Sequence, residues 1–259
     1  MIALLTDFGT ADYFVGSVKG VILSINPNAT IVDITHEVPP QDIESGAFTL
    51  FAAHSAFPPG AIFVAVIDPG VGSERRPIIV KRGGQFFVGP DNGLFSYLYE
   101  TDSHQTIHIK NEDYLRHPVS PTFHGRDVFA PVAAHLSTGV DPTVFGPVVT
   151  DEVRLSTEGP RKTKEHVWAG RIIHIDRFGN CVTNISRELL TMENEIPAKL
   201  RVKDKTITSF RSFFAEGGSK EKLFAVWGSA GFLEIAAVNR SAAKKLKVKR
   251  GDLVRLETG

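Results

Sequence analysis

The sequence predicts an α/β protein: an N-terminal α/β domain on a mainly parallel sheet, then a smaller, barrel-like C-terminal β domain. Three observations predict it. Short apolar runs at residues 2–6, 30–34 and 61–67 are separated by stretches of helical periodicity at 12–25 and 41–56. From 151 to 165 the composition turns polar and charged, with Gly159-Pro160 followed by Arg161-Lys162-Thr163-Lys164. Beyond it only short alternating stretches recur, at 166–176, 200–203, 223–227, 232–238 and 252–256. The expected division is 1–152 for the α/β domain, 153–165 for a linker and 166–259 for the β domain.

Each element has its own signal. Ile2-Ala3-Leu4-Leu5-Thr6 reaches Asp7 with no basic stretch before it, so it reads as a buried strand and not as a signal peptide. Asp12 and Asp42 open the two helical stretches, where a carboxylate complements the helix dipole. Asn26-Pro27-Asn28 and Pro58-Pro59-Gly60 punctuate the returns to strand. Residues 77–80 read as a further strand and 127–136 as a further helix. The basic run from Lys244 to Arg250 places Leu246 and Val248 between charges and precedes Gly251-Asp252, the pattern of a solvated face and turn.

The 259 residues carry 29 Lys plus Arg against 29 Asp plus Glu, a formal net charge of zero, so no global field favours nucleic acid or an anionic membrane. No stretch approaches the roughly 18 apolar residues of a membrane helix. One cysteine, Cys181, excludes an intrachain disulfide and a multi-cysteine metal site. A cytoplasmic setting is expected.

Polar residues gather at the predicted C-terminal ends of the strands: Asp7 after the first, Thr35-His36-Glu37 after the second, and Asp68-Pro69-Gly70-Val71-Gly72 after the third. In an open parallel sheet these ends form the ligand crevice. Any one of them is also ordinary turn chemistry, and it is the coincidence of three that points to a site. The glycine loop lacks the Lys-Ser/Thr of a phosphate loop and the G-x-G-x-x-G of a dinucleotide fold. It offers Asp68 with two nearby guanidiniums, Arg75 and Arg76. A second cluster is Phe123-His124-Gly125-Arg126-Asp127, where Gly125 permits an unusual backbone angle beside a titratable histidine. Two more lie further on, Asp176-Arg177-Phe178-Gly179-Asn180 and Trp227-Gly228-Ser229-Ala230-Gly231; Phe178 beside Gly179-Asn180 suits stacking and edge recognition of a planar heterocycle.

Taken in order with Thr6-Asp7-Phe8-Gly9 and Gly89-Pro90-Asp91-Asn92-Gly93, these motifs resemble those of the S-adenosyl-L-methionine (SAM) hydroxide adenosyltransferases, the SAM hydrolases related to fluorinase and chlorinase. The likeness runs from Thr6 to Gly231. It implies water attack on the ribose C5′ of SAM, releasing adenosine and L-methionine with no cofactor. It implies a homotrimer whose pocket lies between the N-terminal domain of one subunit and the C-terminal domain of its neighbour. The positions matching the water-handling trio are Asp68, Arg75 and His124, with Arg76 adjacent and the inward-facing arginine left open. By the same carry-over Asp7 grips the ribose hydroxyls, Asp176 and Ser229 hold the amino-acid group, Phe178 and Asn180 face adenine, and Phe213 or Phe214 supplies the opposite stacking face. Asp68 and Val71 stand where the halogenating relatives handle halide. An ionised Asp68 would repel an anion already losing its hydration, a penalty that water escapes.

Two rival readings have residues behind them. Asp7, Asp12, His36, Asp68, Asp91, His124 and Asp127 supply enough oxygen and nitrogen ligands for a metal-dependent phosphohydrolase, although H-x-H and H-E-x-x-H motifs are absent and Arg75 and Arg126 would repel a cation. A non-catalytic SAM or adenosine sensor would use the same pocket without turnover.

Overall fold

The computed structural model describes residues 1–99, 103–156, 159–216 and 223–259. It forms two compact units, Met1–Ser156 and Thr157–Gly259. Unit one runs β1 (Ile2–Thr6), α1 (Phe14–Ile25), β2 (Ile31–Thr35), α2 (Ile43–His54), β3 (Ile62–Val66), β4 (Pro77–Arg82), β5 (Gln85–Pro90), β6 (His104–His108), α3 (Ala130–Ser137) and β7 (Val148–Val149). The sheet order is β2-β1-β3-β5-β4-β6-β7. The first four strands are mutually parallel, and antiparallel β4, β6 and β7 extend the edge beyond β5.

Both faces of the sheet are covered, which is why its central strands read as unbroken apolar runs. Ile2 and Leu4 of β1, with Ile62, Val64 and Val66 of β3, pack on one face among residues of α1 and α3. Ala3 and Leu5, with Phe63, Ala65 and Ile67, pack on the other among residues of α2. This is the period-two alternation of a strand, with both sides apolar. The C-terminal ends of β1 and β3 lie side by side, Leu5 opposite Ala65 and Thr6 opposite Val66, which brings the segments after them together.

Of the two expected helix-end carboxylates, Asp42 caps α2 by accepting from the Ser45 backbone at 3.0 Å. Asp12 does not serve α1: the helix starts at Phe14 with no acid in its first turn, so Asp12 lies outside the turn in which the dipole acts. The predicted helix at 127–136 opens with a wide π-turn, Gly125–Phe129, before α3 begins.

Unit two contains β8 (Arg161–Lys164), β9 (Val167–Ile175), β10 (Cys181–Ser186), α4 (Arg187–Met192), β11 (Pro197–Val202), β12 (Lys205–Ile207), β13 (Phe210–Arg211), β14 (Phe224–Trp227), β15 (Phe232–Ala236), α5 (Ala242–Leu246) and β16 (Leu253–Thr258). Its barrel-like sheet is ordered β12-β11-β16-β9-β10-β15-β14-β13 and is antiparallel except where β13 meets β14, with β8 added on β9. The expected linker is in part ordered structure. Val153 donates its backbone N–H to Asp91 and Leu155 to Ser96, and Arg161–Lys164 is an exposed edge strand whose polar composition gave no strand signal. Thr157 and Glu158, in the same stretch, lie outside the described residues. The basic stretch predicted as a solvated face falls on α5 and the turn after it, where Lys247 adopts a left-handed conformation. Among the described residues no helix is long and apolar enough to cross a membrane.

Candidate active site

Unit one carries a cavity of about 430 Å³ at the strand ends, lined by Asp7, Phe8, Phe14, Gln41, Asp68, Val71, His124 and their neighbours. Four loops meet there. The loop after β3 turns through Gly72 at φ 79°, and a Cβ on Gly72 would stand 2.4 Å from the Pro121 carbonyl oxygen, so glycine lets this loop close onto the one bearing His124. Asn92 of the Gly89–Gly93 motif donates its amide to the Ile67 carbonyl at 2.9 Å, buttressing the strand end just before Asp68.

Asp68, Arg75 and His124 form one connected group. Arg75 Nε donates to Asp68 Oδ1 at 2.9 Å and Nη2 to Oδ2 at 2.5 Å, a two-pronged pair whose side chains are only 9% and 4% exposed. The second Nη2 hydrogen reaches His124 Nδ1 at 2.7 Å. Arginine has only donors, so Nδ1 is the acceptor and the imidazole proton sits on Nε2. Burial first, and the Arg75 charge second, hold the His124 pKa below its ordinary value, against the pull of Asp68 and Asp127. Arg75 Nη1 is buried and finds no acceptor among the described residues. The group therefore offers carboxylate lone pairs together with spare N–H donors.

Arg76 turns elsewhere, to Asp91 Oδ2 at 2.6 Å and Asp151 Oδ1 at 2.7 Å, so it is Arg75 that meets Asp68. Gly125 has no unusual backbone angle, contrary to the expectation from sequence. Its role is steric: a Cβ there would press on the Phe8 ring at 3.3 Å, where Phe8, Phe14 and Phe123 pack together. Asp7 lines the cavity and accepts the Gln41 backbone N–H at 2.8 Å, with Gln41 held at φ 65°. His36 does not line it; buried, it meets Thr6 Oγ1 at 2.8 Å and Asp33 Oδ1 at 3.2 Å and braces the end of β1. Asp127 is wholly buried among Arg116, Arg126 and the Ser120 N–H. With Asp91 and Asp127 engaged by arginines, and no gathering of three His, Cys, Asp or Glu side chains among the described residues, the ligand set of the metal reading is dispersed.

Unit two holds an open cavity of about 970 Å³ lined by Asp176, Phe178, Asn180, Phe214, Trp227, Ser229 and Glu234, among others. The β9–β10 turn builds one wall. Asp176 accepts the Asn180 N–H and side-chain amide, both at 2.8 Å, while Gly179 at φ 83° approaches Ser241 so closely that a Cβ would stand 2.0 Å from its hydroxyl. This leaves Phe178 at the tip, 79% exposed, with its ring available to a ligand. Of the two candidate stacking residues Phe214 lines the cavity and Phe213 does not. The sequence reading passed over Gln41, Phe14 and Glu234; for Glu234 a signal was present, a carboxylate inside the apolar run Phe232-Leu233-Glu234-Ile235-Ala236.

The family model described as the SAM hydroxide adenosyltransferase N-terminal domain matches residues 2–146, and that of the C-terminal domain matches residues 170–255. A Methanocaldococcus jannaschii protein named (R)-S-adenosyl-L-methionine hydrolase is 40% identical, over 96% of this chain and 92% of its own. A Thermus thermophilus protein of the same name is 38% identical over 97% of both chains. The crystal structure of an uncharacterized conserved protein from Thermotoga maritima superposes with a TM-score of 0.92 at 36% identity, covering 99% of each chain.

Proposed function

The chain belongs to the SAM hydroxide adenosyltransferase family, and from that premise we infer that it hydrolyses SAM to adenosine and L-methionine through Asp68, Arg75 and His124. The observation that carries the assignment of residues is the connected trio, with its Asp68–Arg75 pair nearly buried and the Arg75 Nη1 donors without a partner among the described residues. Water donates a proton toward Asp68 and is oriented by N–H groups of Arg75 and His124 Nε2. Its oxygen bonds to C5′ as the C5′–S bond breaks, the electron pair passing to sulfur and the released proton to solvent through Asp68. The sulfonium leaves as a neutral thioether, so the leaving group needs no acid. Positive sulfonium and developing hydroxide neutralise one another, a change that a low-dielectric pocket favours.

The remaining assignments follow the two cavities. Asp7, fixed by Gln41, takes the ribose hydroxyls in unit one. In unit two Phe178 and Phe214 stack on adenine, the Asn180 amide meets its edge, and Asp176 with Ser229 receives the amino-acid end. SAM is the substrate and no further cofactor enters the reaction. The two sets act on one SAM molecule when unit one of one subunit faces unit two of its neighbour in a homotrimer.

The testing experiment is incubation of the protein with SAM in ¹⁸O-water with EDTA and without halide, read by mass spectrometry. Labelled adenosine plus methionine is the expected outcome. Loss of activity with EDTA would return the metal reading, and intact SAM despite measured binding would make the protein a sensor.

A further inference from the structure

We propose that Glu234 is a specificity-determining residue that accepts the α-ammonium group of SAM beside Asp176; this rests on the SAM hydrolase reading. Leu233 and Ile235 are fully buried in the core, so strand alternation places Glu234 on the opposite face of β15, where it lines the cavity of Asp176 and Ser229. Its ladder neighbours are Val182 and Val226, which have no side-chain donor to offer it. No ion pair or side-chain hydrogen bond to its carboxyl is formed among the described residues, although Arg240 lines the same cavity.

The chain makes room for this carboxyl. A Cβ on Gly228 would stand 1.8 Å from Glu234 Oε1, so the glycine leaves the volume the carboxyl occupies. Its φ is not in the left-handed region, and a side chain is excluded by Glu234 and not by backbone strain. Burial, then the charge of Asp176, push the Glu234 carboxyl up to about 7. Two acids therefore face one cavity, one of them without a donor, a costly arrangement until a cation bearing N–H groups arrives. SAM has two cationic groups. The sulfonium has no hydrogen to give and belongs at the reacting C5′. The ammonium has three, and each Asp176 oxygen already receives one bond from Asn180, so a second carboxylate completes the site.

The test measures kcat and KM for SAM and for 5′-deoxy-5′-dimethylsulfonioadenosine, which keeps the sulfonium and the nucleoside but lacks the amino-acid end. In Glu234→Gln, KM for SAM is expected to rise about 10-fold or more, the scale of a lost charge-assisted hydrogen bond, with kcat within about 2-fold and the truncated substrate unaffected. Gly228→Ala, which displaces the carboxyl, reproduces the SAM-specific rise. An equal rise for both substrates, or none for SAM, overturns the proposal. Calorimetry with L-methionine reads the same contact without turnover: weaker binding to Glu234→Gln is expected, and unchanged binding counts against it. A wild-type protein that binds L-methionine but leaves SAM intact defeats the hydrolase reading, while Glu234 is still judged by the calorimetry.

Discussion

At the scale of single residues, the tautomer of His124 governs what the trio can do. Its Nδ1 accepts from Arg75, and protonation would set two donors against each other at 2.7 Å. Burial and the arginine both hold the imidazole neutral, so it stays neutral through the neutral range and takes up its proton only below its ordinary 6.5. An NMR titration of the His124 ring should give a midpoint below that value, and Arg75→Gln should move the midpoint upward by removing the cation. A midpoint at or above 6.5 in the wild type, or one unmoved by the substitution, would contradict this account. The same scale shows where sequence falls short: Arg75 and Arg76 are adjacent in a loop without periodicity, and only the position of their acid partners, Asp68 against Asp91 and Asp151, separates them.

At the scale of elements, the site depends on loop closure. Gly72 brings the Asp68 loop against Pro121 of the segment that carries His124. Gly72→Ala would strain a left-handed position and push the two loops apart, and displacement of about 1 Å in a catalytic group can cost on the order of 100-fold. Gly72→Ala is therefore expected to lower kcat by about 10- to 100-fold while circular dichroism stays unchanged; full activity would separate loop contact from catalysis. Much of this level was legible in the sequence. β1 and β3 announce themselves because both of their faces are buried, and Asp7 and Asp68 follow from the rule that parallel strands end at the ligand crevice. β8 was hidden because an exposed edge strand has no apolar face, and β6 because His104 to His108 interleaves polar residues with few apolar ones. The steric part played by Gly125 was invisible for another reason: the Phe8 ring that it accommodates is more than a hundred residues away in sequence.

At the scale of the whole molecule, the proposed chemistry is divided: water handling and ribose binding belong to unit one, and adenine and methionine recognition to unit two. The proposal that neighbouring subunits share one site is tested by complementation. Asp68→Ala lacks the water acceptor, and the double variant Phe178→Ala/Asn180→Ala lacks the adenine wall, so each alone is inactive. Co-expressed in equal amounts, they should recover about a quarter of wild-type activity, since one site in four joins an intact half from each. No recovery would overturn the shared site. The single cysteine of the chain lies immediately after the β9–β10 turn proposed to face adenine, at Cys181, fully buried and with its thiol pushed up to about 12 by burial. A thiol so protonated and enclosed is a poor nucleophile toward peroxides and disulfides. Peroxides and disulfides therefore reach the sulfur beside this turn only when the strands of unit two open.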